Sequence, residues 1–331
     1  MLMQIEQLAS RARVSLFMLA MLAWTNAEAA APYTEPTSFA RPGYAEVQPW
    51  DISDSGLIVG ASGNVGFIYA AGVFQTVEVP YPAASTIATG ISNIGTVVGT
   101  YFDASQVSHG FILDNGTFSS YDAPSSTDTW VRRISSDGRY LSGTFTDSNG
   151  MTSGFALDRW SSTFTDLTRP GDTLTIAQGI NIHGQVVGSF FNPTGRGGFM
   201  LDLASGQRTD YTTIGGLDRV NIRDINDSGT ISGYANFLAF VGSASDPYIF
   251  TQYPNAASSW AYGLNNQGDI VGWSSDSSTG LTVGWTAAPV PEPNALLLWL
   301  FGALGMRALF AREQSRFRQL VQREASEETP R

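Results

Sequence analysis

The feature that most constrains this chain is a frame, I-x-x-x-G-x-x-x-G, that returns six times. It reads ISDSGLIVG from Ile52, ISNIGTVVG from Ile91, INIHGQVVG from Ile180 and INDSGTISG from Ile225. LNNQGDIVG from Leu264 is a further copy, and ISSDGRYLSG from Ile134 is the same frame with one residue inserted. The starts lie 39, 43, 46, 45 and 39 residues apart. Self-similarity at such a period marks a repeat architecture, in which each copy is one supersecondary unit that buries its apolar face against its neighbours.

Two further elements recur inside the period. GFIY at Gly66, GFILD at Gly110, GFALD at Gly154, GFMLD at Gly198 and a truncated GW at Gly284 form the first, with PYIF at Pro247 the expected stand-in in the fifth period. GVFQTVEVP from Gly72 and GTFSSYDAP from Gly116 represent the second. One period therefore predicts a strand ending at the Ile and a tight turn over DSG, NIG or NQG, where Gly takes the positive φ that a side chain resists. A strand carrying VVG, the GFxLD strand, another turn and a strand ending near Pro complete it. Four short strands in about 40 to 45 residues is the arithmetic of a β-propeller blade. The expected fold class is all-β, a six-bladed β-propeller over residues 30–288. The last period stops after its GW strand at Trp285, and SFARPGYAEVQPW ahead of Ile52 supplies the missing final strand, which closes the ring and removes a free sheet edge. An open β-solenoid or a sandwich is the alternative, and the regular four-element period disfavours both.

Composition narrows the function. All 18 basic residues are arginine, against 29 acidic residues and a net charge of −11. Nucleic-acid binding relies on clustered cations that displace counterions, so nucleic acid is discounted as a partner. Cysteine is absent, which removes disulfides, thiolate nucleophiles and cysteine metal sites. His109 and His183 are the only histidines and occupy different places in the repeat, so neither is expected to act; no G-x-S-x-G or HExxH occurs. Asp114, Asp158 and Asp202 are spaced by 44 residues and could ring a cation, but each precedes a turn whose amides a carboxylate would satisfy. DSNG at Asp147 lacks the other ligands of a calcium loop. Neither a metal nor a cofactor is expected.

Positions four and two residues before each frame vary where a structural position would repeat. They are Gln48 and Trp50, Ile87 and Thr89, Trp130 and Arg132, Ile176 and Gln178, Asn221 and Arg223, Trp260 and Tyr262. If they share one face of the disc, Trp130, Arg132, Arg223, Trp260 and Tyr262 make a surface of aromatic platforms and guanidinium forks suited to an acidic or neutral glycan. The competing reading is that these aromatics fill space between blades.

Both termini read as addresses. Arg11 and Arg13 precede the 11-residue apolar run VSLFMLAMLAW and then NAEAAAP, the three parts of a secretory signal with cleavage expected after Ala29. Such a signal hands residues 1–29 to the Sec export machinery. Near the other end, VPEP is followed by an apolar stretch over 295–311, which as a helix spans about 26 Å against a hydrocarbon core of ~30 Å. Arg307 can snorkel to the interface, and with Arg312, Arg316, Arg318 and Arg323 it leaves the tail in the cytoplasm and the preceding domain outside. The prolines keep the segment before the helix extended and accessible.

Residues 289–331 resemble the PEP-CTERM sorting signal of Gram-negative bacteria, with Pro291, Glu292 and Pro293 matching the triplet, the apolar helix following, and Arg307 and Arg312 in the basic region. The resemblance implies recognition by an exosortase-type sorting protease, a transient stay in the inner membrane, delivery to the cell surface or matrix, and a link to exopolysaccharide and biofilm. The repeats resemble the HAF type of extracellular module, with GF in place of AF. The expected function is that of a non-enzymatic structural or binding propeller. A carbohydrate-active enzyme on the same scaffold is the alternative, and it would need two carboxylates about 5 to 10 Å apart in a central pocket.

Overall fold

A computed structural model describes residues 32–250, 256–276 and 281–290. Ala29, the Pro291-Glu292-Pro293 triplet and the apolar stretch at 295–311 lie outside the described residues. Tyr33–Pro289 forms one compact unit of six antiparallel four-stranded sheets, and no helix occurs among its described residues. Each sheet is one blade of a β-propeller. The innermost strands, one per blade in chain order, are Gln48–Ile52, Ala83–Ile91, Ser126–Ile134, Leu174–Ile180, Asn221–Ile225 and Ala256–Leu264.

Blades 1 to 5 are each continuous in sequence, whereas blade 6 is completed by the start of the domain. Thr37–Phe39 pairs with Thr282–Ala287, with Ser38 opposite Trp285. The ring is thus closed by the segment expected to close it, although that segment divides: its beginning is the outer edge of blade 6, while Gln48, Pro49 and Trp50 belong to the innermost strand of blade 1.

The two glycines of the frame serve different ends. The first sits in the hairpin turn, where Gly56, Gly95, Gly138, Gly184, Gly229 and Gly268 all have φ between +73° and +88°. The second makes room for an aromatic ring. Gly60, Gly99, Gly143, Gly188, Gly233 and Gly272 lie directly opposite Phe67, Phe111, Phe155, Phe199, Phe240 and Trp285 on the third strand. All six aromatics are fully buried, so one ring per blade crosses its neighbouring strand and anchors the core.

Blade 5 departs from expectation. Its third strand is Leu238–Gly242, where Ala239-Phe240 takes the place of Gly-Phe, and Pro247–Ile249 is the fourth strand rather than the third. The Phe ring is what the blade requires, and a small residue before it suffices.

At the axis, every innermost strand carries a register shift at the same repeat position: Pro49/Asp51, Ala88/Gly90, Val131/Arg133, Ala177/Gly179, Ile222/Asp224 and Ala261/Gly263. A bulge bends the strand and sets one residue outside the ladder. The residue just before each frame then alternates around the ring as Asp51, Gly90, Arg133, Gly179, Asp224, Gly263. The glycines permit close approach: a Cβ on Gly263 would lie 2.6 Å from the Asp51 Cα, and one on Gly179 would lie 2.8 Å from the Asp224 Cα. Arg133 fills the centre, donating to the carbonyls of Trp50 (2.8 Å), Thr89 (2.8 Å) and Tyr262 (2.6 Å). Asp51 accepts from the amides of Ile52 and Ile91, and Asp224 from those of Ile225 and Leu264, so each carboxylate ties its blade to the next. On the turn side, the side-chain amides of Asn181, Asn226 and Asn265 donate to the backbone carbonyls of Asn226, Asn265 and Ser53, carrying the link from blade 4 through to blade 1.

Candidate functional site

The bulges set one residue per blade outside the ladder. The residue left outside each ladder is the one two positions before the frame: Trp50, Thr89, Arg132, Gln178, Arg223 or Tyr262. Trp50, Arg132, Gln178 and Arg223 of this set converge with Trp130, Ile176 and Asn221, from four positions before the frame, on a cavity of about 430 Å³. Seven of the twelve variable positions of the repeat therefore share a face, and Gln48, Ile87, Thr89, Trp260 and Tyr262 do not reach it. Arg196 and Arg219, from loop-proximal positions in blade 4 and before blade 5, complete the basic part of the lining, and Phe191, Tyr234 and Phe237 add aromatic surface.

What distinguishes the cavity is unbalanced charge. The propeller holds ten arginines. Five of them, Arg133, Arg139, Arg159, Arg169 and Arg208, pair with aspartates, and Arg41 donates to the Thr76 hydroxyl. The remaining four, Arg132, Arg196, Arg219 and Arg223, all line the cavity, and none has a carboxylate within ion-pairing distance among the described residues. Burial first, and the neighbouring Arg223 charge second, push the Arg132 guanidinium down to about 9, so it remains a cation at neutral pH. Its Nε and that of Arg223 are buried without a hydrogen-bond partner. Aromatic faces hold both side chains in place. Arg132 lies 5.0 Å from the Trp130 ring centroid, and Arg223 lies 4.6 Å from that of Tyr262 while donating to the Tyr234 hydroxyl at 3.1 Å.

The rim carries a second unusual feature. Asn236 and Phe237 form a two-residue hairpin turn with φ of +45° and +69°. Asn tolerates that region, whereas a bulky aromatic there is a conformational outlier. Phe237 is nevertheless 48% exposed, with the Arg219 guanidinium 5.7 Å from its ring centroid.

No family model matches the chain, and no curated protein matches it in sequence. Several solved structures resemble it in shape. A putative TolB from Agrobacterium tumefaciens is 12% identical with a TM-score of 0.47, covering 74% of this chain and 90% of its own. An AofleA variant from Arthrobotrys oligospora is 13% identical with a TM-score of 0.45, covering 76% and 86%. An oligogalacturonate lyase from Vibrio parahaemolyticus is 8% identical with a TM-score of 0.43, covering 80% and 99%. At these values the likeness extends to the general fold only.

Of the five residues expected to make a glycan surface, Trp130, Arg132 and Arg223 line the cavity. The other two do not. Tyr262 is buried beneath it, 4.9 Å from Trp50 and stacked at 5.5 Å on Trp273, and burial pushes its phenol up. Trp260 packs at 4.1 Å on Trp273 and edge-on to Tyr234, filling space at the junction of blades 5 and 6. The open arc thus spans blades 1, 3, 4 and 5. Trp50 belongs to the variable set but not to the five, and Arg196, Arg219 and Phe237 lie outside the frame that identifies the rest.

The other candidates serve structure. His109 lies on the third strand of blade 2, stacks on Tyr101 at 5.1 Å and faces Asp122 at 3.0 Å. His183 is in a turn beside Tyr140 and Leu203, away from the arginine cavity. Asp158 and Asp202 accept backbone amides of the turns that follow them, from Trp160 at 3.0 Å and Ser205 at 2.7 Å. Arg139 pairs with Asp158 and holds its carboxyl well below the usual range. Asp114 faces Arg159 of the next blade at 3.5 Å, and Asp147 caps its own turn through the Asn149 and Met151 amides. Among the described residues no three His, Asp or Glu side chains gather as metal ligands would.

Proposed function

We propose that this protein is exported, held at the inner membrane by its C-terminal apolar segment, processed at Pro291-Glu292-Pro293 by an exosortase-type protease, and used at the surface or in the matrix to bind exopolysaccharide. The observation that carries the binding half is the cavity: seven of the twelve positions that vary across a fixed repeat converge there, with several aromatics and four arginines that lack a carboxylate partner among the described residues. Its described lining contains no carboxylate and no histidine, which supports retention of a ligand rather than acid–base cleavage of a glycosidic bond. The targeting half rests on the order of signal, triplet, apolar stretch and arginines in the sequence.

Two measurements test it. Fractionation of the native host with and without its sorting protease, following the mass of the C-terminus, should show an intact membrane-bound tail only when the protease is missing; an intact tail in both strains refutes processing. Binding of the purified full chain to the host's own exopolysaccharide should be lost on competition with that polymer's oligosaccharides. Release of shortened oligosaccharides would instead establish a carbohydrate-active enzyme.

A further inference from the structure

Resting on that reading of the cavity, we infer that its ligand is an acidic saccharide, with a sugar carboxylate seated between Arg132 and Arg223 and an adjoining ring laid on Phe237. Charge is the first ground. In a chain of net charge −11, every propeller arginine except Arg41 that lacks an acidic partner among the described residues is gathered at one opening, so the local field there opposes the field of the whole. Two guanidinium groups packed beside each other, each with a buried unpaired Nε, are a costly arrangement that a bound anion would relieve. Guanidinium forks also match the planar carboxylate bidentately, which a compact ammonium cannot do.

Size and shape argue for a sugar acid over a bare ion. A cavity of about 430 Å³ falls in the range that holds a small organic ligand, and is far larger than the ~30 Å³ occupied by a water. The exposed aromatic ring of Phe237 is maintained at φ +69° in a turn position where glycine would be unstrained. The core of blade 5 is filled by Phe240, and Phe237 stands outside it, with 48% of its surface exposed. Strain of this kind at the rim of a cavity is explained when the side chain contacts a ligand.

The test is titration of the purified full chain with a galacturonic acid tetramer, a neutral glucose tetramer and sodium sulfate, in low and physiological salt. The acidic tetramer should bind at least tenfold more tightly than the neutral one, and more tightly in low salt. Arg132→Gln and Arg223→Gln should each weaken it by about 30-fold, as expected for truncating one partner of a desolvated charge pair. Phe237→Gly provides the control for folding, since it removes backbone strain: thermal stability should hold or rise while tetramer binding falls about tenfold. Equal binding of both tetramers overturns the acidic assignment and leaves the binding function standing; binding of neither overturns the acidic assignment, and the titration with the host's own polymer then decides the binding function separately. Sulfate binding that matches the acidic tetramer and ignores Phe237→Gly reduces the site to one for small anions and overturns the sugar.

Discussion

The Nε of Arg133 in blade 3 lies 3.2 Å from Oδ1 of Asp224 in blade 5, across the propeller axis. The same guanidinium lies 3.3 Å from Asp51 of blade 1, so alternate blades contribute acid, base and acid to one buried group, with glycine on the blades between. All three side chains are at most 5% exposed. Removing one member of a buried ion cluster leaves uncompensated charge, a loss that typically exceeds what the intact cluster contributes. Arg133→Met should therefore cost about 3 to 5 kcal/mol in urea unfolding. Adding Asp51→Asn and Asp224→Asn to that variant should recover part of the loss, because the three residues act as one network. A single-variant loss within about 0.5 kcal/mol, the range of an ordinary surface substitution, would show that the cluster does not hold the axis.

The same cluster sets a pH dependence. Two acids share one cation, and burial first pushes both carboxyls up, Asp224 to about 7, with the Arg133 charge opposing it and the Asp51 charge adding to it. A carboxyl whose folded pKa is raised binds its proton more tightly in the folded state, so its stabilising contribution is complete below the unfolded value near 3.8 and is lost as pH rises through 7. Asp158, held low by Arg139, works in the opposite sense and acts only below about pH 4. Urea midpoints should thus fall between pH 4 and pH 7, and Asp224→Asn should flatten that slope.

Much of this architecture is legible in the chain alone. The frame carries the turn glycine and the ring-crossing glycine, and the GF or GW element carries the aromatic, three requirements of a blade that each leave a letter behind. Blade 5 escapes because its third strand keeps the Phe240 ring but has Ala239 where the other blades have Gly, and a letter-based frame weighs both equally. The axial cluster escapes for a related reason: Asp51, Arg133 and Asp224 occupy one repeat position but alternate with glycine, so the position looks variable when it is in fact periodic over two blades. Seven of the twelve residues lining the cavity are legible, Trp130, Arg132 and Arg223 among them, because they sit at fixed offsets from the frame. Arg196, Arg219 and Phe237 are not, because they reach the cavity from loop-proximal positions that only the closed ring brings together.

Glycine should show two distinct sensitivities within one blade. A Cβ on Gly99 would lie 2.0 Å from the Ile87 carbonyl and 2.6 Å from the Phe111 ring, and the backbone oxygen cannot move without breaking the ladder. Gly95, four residues earlier, has φ +87°, and a Cβ there would meet nothing within 4 Å. Gly99→Ala should accordingly cost at least about 3 kcal/mol, at the upper end of overpacking effects, whereas Gly95→Ala should cost about 1 kcal/mol from backbone strain alone. Thermal denaturation of the two variants separates them, and equal losses would contradict the ring-crossing role of the second glycine.

Closure of the ring depends on a three-residue strand, and Phe39 at its end joins two blades. Its ring stacks on Tyr69 of blade 1 at 4.9 Å with an interplanar angle of 9°, and its backbone pairs opposite Gly284 of blade 6. A short strand gains little from its own hydrogen bonds, so this aromatic contact supplies much of what holds the first strand in place. Phe39→Ala should lower stability by about 2 kcal/mol and leave the outer edge of blade 6 exposed. Limited proteolysis reads the second effect directly: cleavage should begin between Tyr33 and Gln48 in the variant while the other blades stay protected. Cleavage spread evenly over all six blades would mean that the ring unfolds as a whole rather than opening at the joint.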